Sequence, residues 1–398
     1  MAAQTYSHHH TFAVTPHPMQ ITRLADLSDA RACPCLVIKV GSSLLVGNDG
    51  PRREWIAGLV GEVAQARARG QNVIIVSSGA IALGARTLGL EKGGRGSLAD
   101  AQAAAAVGQI ALSGLWAELL QAHGLTAAQL LLTLDDLEDR RRYLNATATL
   151  GRLLDAGAVP VINENDSVAT HEIRFGDNDR LAARVAQAAQ ASAVLLLSDV
   201  DGLYDRDPAN PGAQLVRVVQ GMTDEVRAMA SGTSGSGLGS GGMTSKLQAA
   251  EIAELAGIVL AIANGQYDLP ITRALEQDIG TVFLADVRGK RRNAARKAWL
   301  GGRLRLKGDL IVDDGAAEAL RGGSSLLAKG VTAVEGAFRR GDPVGIRSKA
   351  GVMLAHGLSE YNSDECVRLM GHHSSEHQEL LGYAPRSAVI HRNQLVLK

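Results

Sequence analysis

Residues 36–43 read LVIKVGSS, an apolar run that is interrupted by Lys39 and closed by a Gly-Ser-Ser turn. Four more runs have the same form, short and rich in β-branched residues and leucine, and they lie at residues 73–76, 159–162, 194–197 and 258–262. Continuous apolar runs of this length are typical of strands buried on both faces. Nearly every run ends in small or acidic residues, so the pattern predicts a buried sheet with polar strand ends.

The segments between these runs have helical patterns, for example at residues 55–69, 98–123, 140–155 and 179–191. Strands that alternate with helices predict an α/β fold, an open and mostly parallel sheet sandwiched by helices. Sheets of this kind bind ligands at the carboxyl ends of their strands. We therefore expect the chemistry of this chain at those ends.

The composition sets the broad class of the protein. The 398 residues are 46% apolar, which is enough for a substantial core and predicts two domains. A net charge of zero gives no global attraction to nucleic acid or anionic lipid. Three scattered cysteines favour a reducing compartment. No apolar run approaches the roughly 20 residues of a membrane span, and a soluble, cytoplasmic protein is expected.

Changes in composition and apolar pattern along the sequence divide the chain into four parts. Residues 1–34 contain several prolines and no strand-like run, which is consistent with a disordered N-terminal extension or with a start at Met19. Residues 35–285 hold the α/β pattern, and residues 286–303 are a basic connector. Residues 304–398 contain short apolar runs separated by glycines, which predict a small C-terminal β-rich barrel.

The most glycine-rich segment, residues 232–242, is followed by MTSK at 243–246 and a helical pattern. Glycines let backbone N–H groups approach a phosphate closely, and the helix N-terminus adds a favourable dipole. Lys246, one turn into the helix, is within reach of a phosphate oxygen. The segment lacks the order of a Walker loop, and its G-x-G-x-x-G pattern follows a helix where a dinucleotide fingerprint requires a strand. A flexible linker remains the alternative interpretation.

Other polar features have an ordinary structural interpretation beside the functional one. Lys39 is either an anion ligand or a strand-end lysine that reaches solvent. NEND at 163–166 and GDND at 176–179 are either ligand groups or turns and caps, with Asp179 as a helix N-cap. Ser198 and Asp199 follow a strand in a turn that suits a nucleoside. His372, His373 and His377 have no partners that would complete a metal site.

The chain resembles the amino-acid kinase family in six segments, which occur in the family's order: LVIKVGSS (36–43), VSSGAI (76–81), VINEND (161–166), FGDND (175–179), LLSDVDGLY (196–204) and GSGGMTSK (239–246). The C-terminal unit, with GGSSLL at 322–327, resembles the PUA domain that is attached to many bacterial members. The resemblance implies the amino-acid kinase fold followed by a PUA-like barrel, and it covers the chain from about residue 36 to the end.

The third and fourth of these segments, VINEND (161–166) and FGDND (175–179), resemble the substrate segments of the family members that phosphorylate glutamate. The resemblance then implies transfer of the ATP γ-phosphoryl group to the side-chain carboxylate of L-glutamate, the first step of proline biosynthesis, with Mg²⁺ bridging the phosphates. It also implies feedback inhibition by proline, a homo-oligomer (dimer or tetramer) and a functional link to glutamate-5-semialdehyde dehydrogenase.

The resemblance assigns residue roles by motif. Three residues carry catalysis: Lys39, Lys246 and Asp179. Three hold glutamate: Ser78, Asp166 and Asn178. ATP contacts Lys39, Ser198, Asp199, Ser240, Gly241, Gly242, Met243, Thr244, Ser245 and Lys246. No protein metal ligands are implied.

Two alternative functions remain. Another amino-acid kinase would act on acetylglutamate, aspartate or carbamate, although the cluster at 163–166 favours glutamate. An RNA-binding protein is the alternative from a different class, because PUA domains commonly bind RNA and the connector is basic. The neutral net charge and the full set of kinase segments disfavour RNA binding as the main activity.

Overall fold

The computed structural model describes residues 20–168, 177–231, 242–285, 306–383 and 386–397. The predicted basic connector, most of the glycine-rich segment and two of the predicted ATP ligands, Ser240 and Gly241, lie outside the described residues. The same is true of residues 1–19.

The strands and helices follow one another in the alternation that the sequence predicts. The strands are β1 Cys35–Val40, β2 Val46–Gly47, β3 Gly50–Pro51, β4 Asn72–Ser77, β5 Ala127–Leu132, β6 Val159–Glu164, β7 Ala193–Ser198, β8 Val218–Val219, β9 Val259–Asn264, β10 Thr281–Phe283, β11 Gly308–Val312, β12 Leu326–Leu327, β13 Val331–Gly336, β14 Pro343–Ser348, β15 Met353–Leu358, β16 Ala388–Ile390 and β17 Leu395–Leu397. The helices are α1 Ser42–Leu45, α2 Arg53–Ala68, α3 Ala80–Leu88, α4 Leu98–Gln121, α5 Leu134–Glu138, α6 Arg140–Asp155, α7 Asp177–Ala189, α8 Asp224–Ser231, α9 Met243–Ala256, α10 Pro270–Gln277, α11 Asp314–Arg321, α12 Ser363–Leu369 and α13 His377–Leu381.

An eight-stranded sheet with the order β5-β6-β4-β1-β7-β9-β10-β8 forms the centre of the first unit. The strands from β5 to β9 in that order are parallel, and β10 runs antiparallel to β9. The chain moves from β1 toward β4 and β6, and then returns to β7 on the other side of β1. This reversal creates a switch point at the carboxyl end of β1, where ligands bind in open α/β sheets.

Two apolar layers cover the faces of this sheet. Leu36, Ile38 and Val40 of β1 pack with α2, α4 and α10, while Cys35 and Val37 pack with α6, α7 and α9. Successive strand residues point to opposite faces, so Lys39 belongs to the second face. The alternation of β1 thus directs the lysine toward α7 and α9.

Helices α3 and α4 cross at two glycines. A Cβ atom on Gly84 would lie 1.8 Å from the carbonyl oxygen of Ala104, and one on Gly108 would lie 1.8 Å from that of Ala80. Backbone therefore packs directly on backbone at this crossing, which no larger residue permits. Because α3 begins at Ala80, just after β4, the crossing fixes α4 close to the carboxyl edge of the sheet.

We expect Gly84→Ala to lower the free energy of unfolding by about 3 kcal/mol, because two backbones must separate to admit the methyl group. Gly114→Ala, in the same helix as Gly108, is the matched control, because a Cβ atom there meets nothing within 4 Å. The control should be neutral or gain about 0.5–1 kcal/mol from helix propensity. Urea denaturation measures both, and equal stabilities of the two variants would contradict the close crossing.

Part of the predicted N-terminal extension belongs to the first unit. Leu24 and Leu27, in a short 3-10 helix at Leu24–Ser28, are each 1% exposed and join the core that contains α2 and α10. Within residues 20–34, the assignment to an extension is therefore corrected. The segment shows no periodicity because its two core leucines lie on a single turn.

Helix α4 differs from the expectation that no apolar segment approaches the length of a membrane span. It is the one helix among the described residues that is long and apolar enough to cross a membrane by length and composition. Leu112, Leu115 and Trp116 on one face are buried in the core of the sheet. A single helix of this kind is weak evidence for a membrane segment, because core helices of globular domains have the same composition.

One further expectation is wrong, and two elements of the structure have no counterpart among the predictions. Helix α7 begins at Asp177, so Asp179 lies inside its first turn and is not its N-cap. Helix α3 and the edge strand β5 were not predicted. The sequence of β5, AAQLLL, consists mostly of good helix formers, and only its pairing with β6 makes it a strand.

The C-terminal unit is a β-rich domain, as predicted. Its five-stranded sheet has the order β13-β11-β14-β15-β17, and β12 pairs with β16. Leu358 and Val396 of this unit form a small buried cluster with Leu144 of α6. The C-terminal unit therefore contacts the helix that precedes β6.

Candidate active site

Two lysines share one carboxylate at the switch point of the sheet. Lys39 Nζ lies 2.6 Å from Asp179 Oδ1, and Lys246 Nζ lies 3.2 Å from Asp179 Oδ2. The hydroxyl of Ser245 also donates to Asp179 Oδ2, at 2.9 Å. The three predicted catalytic residues thus form one cluster, with two ammonium groups held by one carboxylate.

This cluster is shielded from solvent and carries an excess of one positive charge. Lys39 and Lys246 are 7% and 6% exposed, and Asp179 is fully buried. Burial by itself would raise the pKa of Asp179, but the two ammonium groups lower the pKa to about 2. Burial lowers the pKa of Lys39, Asp179 opposes that shift, and Lys246 adds to it. An anion that enters the site would neutralise the excess charge.

Three elements bring the cluster together from distant parts of the chain. Lys39 is the fifth residue of β1, and Asp179 lies in the first turn of α7. Lys246 is the fourth residue of α9, whose N-terminus follows Gly242. The first turn of α9 therefore faces the first turn of α7, and the positive ends of the two helix dipoles make this edge of the sheet electropositive.

Next to the lysines, side-chain amides form a hydrogen-bonded network. Asn178 Nδ2 donates to Ser78 Oγ at 2.7 Å and to Asn163 Oδ1 at 3.3 Å. Asn163 Nδ2 donates to Gln109 Oε1 at 2.7 Å. The network places two predicted substrate ligands, Ser78 and Asn178, in direct contact.

Asp166, the third predicted substrate ligand, is 8% exposed and follows β6 in a turn. Burial lowers the pKa of Arg95, and the negative charge of Asp166 opposes that shift. Asp166 thus lies near a cation that the sequence did not indicate, because Arg95 stands alone between two glycines.

The predicted nucleotide residues lie at the ends of β7 and at the start of α9. Ser198 Oγ donates to Asp199 Oδ1 at 3.1 Å. Burial lowers the pKa of Lys39, and the negative charge of Asp199, like that of Asp179, partly opposes this shift. Thr244 is exposed, whereas Met243 is buried in the core, so the Met243 side chain is not available to a ligand. The backbone of Met243 remains part of the helix N-terminus.

Two residues that the sequence did not indicate support the site from α4. Gln109 accepts from Asn163, and Trp116 Nε1 donates to Ser77 Oγ at 2.9 Å. Trp116 is buried and Gln109 is half-buried on a long alanine-rich helix. Since their partners are strand-end residues far along the chain, no local signal marks them.

Among the described residues, no group of three or more His, Cys, Asp or Glu side chains could hold a metal ion. His377 is buried with its ring edge against Tyr361, and His372 contacts Glu376. Helix α13 begins at His377, so His372 and His373 lie before the helix, and all three histidines are part of the C-terminal unit.

Comparison with known proteins identifies the class of this site. Residues 34–264 match the amino acid kinase family, and residues 308–381 match the PUA domain. The chain belongs to the amino acid kinase family. The matched region of this kinase contains Lys39, Asp179 and Lys246, together with the amide network.

Several relatives of this kinase are named glutamate 5-kinase. The one from Novosphingobium aromaticivorans is 70% identical over 95% of this chain and 100% of the relative. The one from Sphingopyxis alaskensis is 57% identical over 92% of this chain and 98% of the relative. Among solved structures, carbamate kinase from Giardia lamblia bound to AMP-PNP is 16% identical, with a TM-score of 0.46, over 64% of this chain and 99% of that chain.

Proposed function

We propose that this kinase transfers the γ-phosphoryl group of ATP to the side-chain carboxylate of L-glutamate, giving L-glutamyl 5-phosphate in the first step of proline biosynthesis. The observation that carries the proposal is the buried Lys39–Asp179–Lys246 cluster with its excess positive charge. The 70% identity to a protein named glutamate 5-kinase supports the choice of substrate.

The chemistry needs charge neutralisation more than proton transfer. A glutamate carboxylate has a pKa near 4.3 and is ionised at pH 7, so no general base is required. One carboxylate oxygen bonds to the γ-phosphorus, the bond from phosphorus to the bridging oxygen breaks, and ADP leaves with that electron pair. Lys39 and Lys246 offset the negative charge of two anions that must meet, and Asp179 keeps both ammonium groups in place.

Glutamate binds against the amide network, on the side of Lys39 that faces away from ATP. Ser78, Asn178 and Asp166 offer hydroxyl, amide and carboxylate oxygens, which suit the ammonium group of an amino acid. ATP lies along the start of α9 and the end of β7, at Ser198 and Asp199. The acceptor carboxylate and the γ-phosphate then meet at the two lysines.

Mg²⁺ fits this site as a companion of ATP. The described residues contain no cluster of three acidic or metal-binding side chains, and Mg²⁺ is usually held by substrate phosphates with one or two carboxylates. Asp199, which follows β7, would be the carboxylate that contacts the hydrated ion. When bound, the ion neutralises phosphate charge.

An ATP-dependent hydroxamate assay tests reaction and substrate together, since hydroxylamine traps an acyl phosphate. Wild-type protein should form hydroxamate with glutamate and ATP, and should not do so with aspartate or acetylglutamate. Added proline should raise the KM for glutamate, because we also propose feedback inhibition at or overlapping the glutamate site. Turnover of another amino acid in preference to glutamate would overturn the assignment.

We expect the alkaline limb of kcat/KM for ATP to lie below pH 10.5, where an ordinary lysine titrates, because burial lowers the pKa of Lys39. The alkaline limb of kcat should lie at higher pH than that of kcat/KM, since bound ATP stabilises the ammonium form of Lys39. Because the pKa of Lys39 is lower in the folded protein than in the unfolded chain, the unfolded chain binds the Lys39 proton more tightly. Deprotonation of Lys39 at high pH therefore favours the folded state and does not itself unfold the protein. Circular dichroism across the range checks that point, and coincident limbs at or above pH 10.5 would contradict the prediction.

We further propose a cytoplasmic homo-oligomer, a dimer or tetramer, that is functionally linked to glutamate-5-semialdehyde dehydrogenase. The link is supported by chemistry, because an acyl phosphate is labile and its prompt reduction limits loss to water. Sedimentation velocity measures the oligomeric state, and a monomer at micromolar concentration would contradict it.

A further inference from the structure

Helix α4 reaches the substrate network through one residue, Gln109. Its Oε1 accepts from Asn163 Nδ2 at 2.7 Å, across 54 positions of the chain. Asn163 is 2% exposed, so an unpaired Nδ2 there would carry a desolvation cost. The contact therefore supplies a buried donor with its acceptor.

A backbone group fixes the direction of every hydrogen bond in this network. The N–H of Glu164 donates to Asn163 Oδ1 at 2.9 Å, and a backbone N–H cannot reverse its role. Asn163 must then present its oxygen to Glu164 and Asn178, and its Nδ2 to Gln109. In this orientation Asn163 Nδ2 needs a hydrogen-bond acceptor, and Gln109 Oε1 is that acceptor.

The orientation of the Asn163 amide determines that of the Asn178 amide. Its Nδ2 donates to Asn163 Oδ1 and to Ser78 Oγ, so both amide hydrogens are directed into the network. Its Oδ1 is buried and has no hydrogen-bond donor among the residues that the structure describes. The network thus leaves one oriented acceptor for a ligand that carries a donor.

The position of Gln109 is rigid because α4 is fixed on both sides of it. Gly108, the preceding residue, packs on the backbone of α3, and Trp116 donates to Ser77 Oγ. Ser77 precedes Ser78, which receives the hydrogen bond from Asn178. Helix α4 therefore supports both ends of the network.

We infer that Gln109 is a positioning residue for the amino-acid substrate, which it serves by locking Asn163 and thereby aiming Asn178 Oδ1 at the substrate ammonium group. The inference rests on the proposed function and extends it to a residue that touches neither substrate nor ATP. Its effect falls on recognition of the ammonium group, since the lysine cluster and its ion pairs do not involve Gln109.

Gln109→Met removes the acceptor and keeps the side-chain length, and Gln109→Glu keeps an oxygen at the same place. In the hydroxamate assay we expect Gln109→Met to raise the KM for glutamate about tenfold, with kcat and the KM for ATP changed less than about threefold. Gln109→Glu should stay within about threefold of the wild type. Thermal unfolding of each variant accompanies the kinetics.

Glutarate, which lacks the ammonium group, separates recognition from general damage. Its inhibition constant against glutamate should change less than about twofold in Gln109→Met. Three results would each overturn the inference. In Gln109→Met the inhibition constant of glutarate could rise as much as the KM for glutamate, or the KM for glutamate could stay unchanged. In Gln109→Glu the KM for glutamate could rise as much as in Gln109→Met. Absence of glutamate turnover in the wild type would overturn the proposed function as well, so the two failures are distinguishable.

Discussion

The Lys246→Met protein is expected to fold like the wild type and to lose about 10³-fold in kcat. The ammonium group of Lys246 is one of two that neutralise the transferring phosphoryl group. Its removal leaves Lys39 and Asp179 as a one-to-one ion pair, 2.6 Å apart, so the buried charge balances better than before. Methionine fills a similar volume, so the packing of α9 is retained.

The hydroxamate assay gives kcat, and circular dichroism with thermal unfolding reports the fold. The KM for glutamate should change little, because the amide network of Ser78 and Asn178 does not contact Lys246. Lys329→Met, at an exposed lysine of the C-terminal unit, is the matched control and should keep full activity. A kcat within tenfold of the wild type would remove Lys246 from the catalytic group.

Local pattern was enough to predict the framework of the first unit. Runs such as 36–40 and 194–197 are apolar on both faces, so only a buried parallel strand suits them, and β1 and β7 follow these predictions closely. Edge strand β5 gave no such signal, because none of its residues is fully buried and its composition favours a helix. Its strand conformation comes from pairing with β6, which is a tertiary effect.

For the site, the sequence could predict only those residues that are marked by their neighbours along the chain. Lys39 and Lys246 were recognisable from the turn and the glycines beside them, but their joint contact with Asp179 depends on the sheet order. Lys246 and Asp179 are 67 positions apart, and only the facing first turns of α7 and α9 join them. This contact also explains why Asp179 is not a cap, since its carboxylate is occupied by the lysines.

The Asp179→Asn protein is expected to lose both activity and stability. The amide keeps the shape of the side chain but removes its charge, which leaves two ammonium groups buried together without a counterion. Removal of one partner from a buried ion pair costs about 3–5 kcal/mol, and here two cations lose the same partner. Without the carboxylate the lysines no longer hold the γ-phosphate and the acceptor, so turnover should fall about 10³-fold or more.

The pH dependence of unfolding distinguishes this cause from a simple packing defect. In Asp179→Asn, Lys39 loses the carboxylate that opposes the lowering of its pKa by burial, so the folded protein binds this proton more weakly than the unfolded chain and its stability should rise with pH up to about pH 10.4. The stability gap to the wild type should therefore narrow at alkaline pH. A packing defect would keep the gap constant.

A second substitution tests the same charge argument. Asp179→Asn combined with Lys246→Met should be more stable than Asp179→Asn alone, because one buried cation has been removed. Asp224→Asn, at an exposed ion pair with Arg227, is the control and should leave the free energy of unfolding nearly unchanged. Equal stabilities of the single and double variants would mean that the two lysines do not compete for one carboxylate, and the charge account of the cluster would then be wrong.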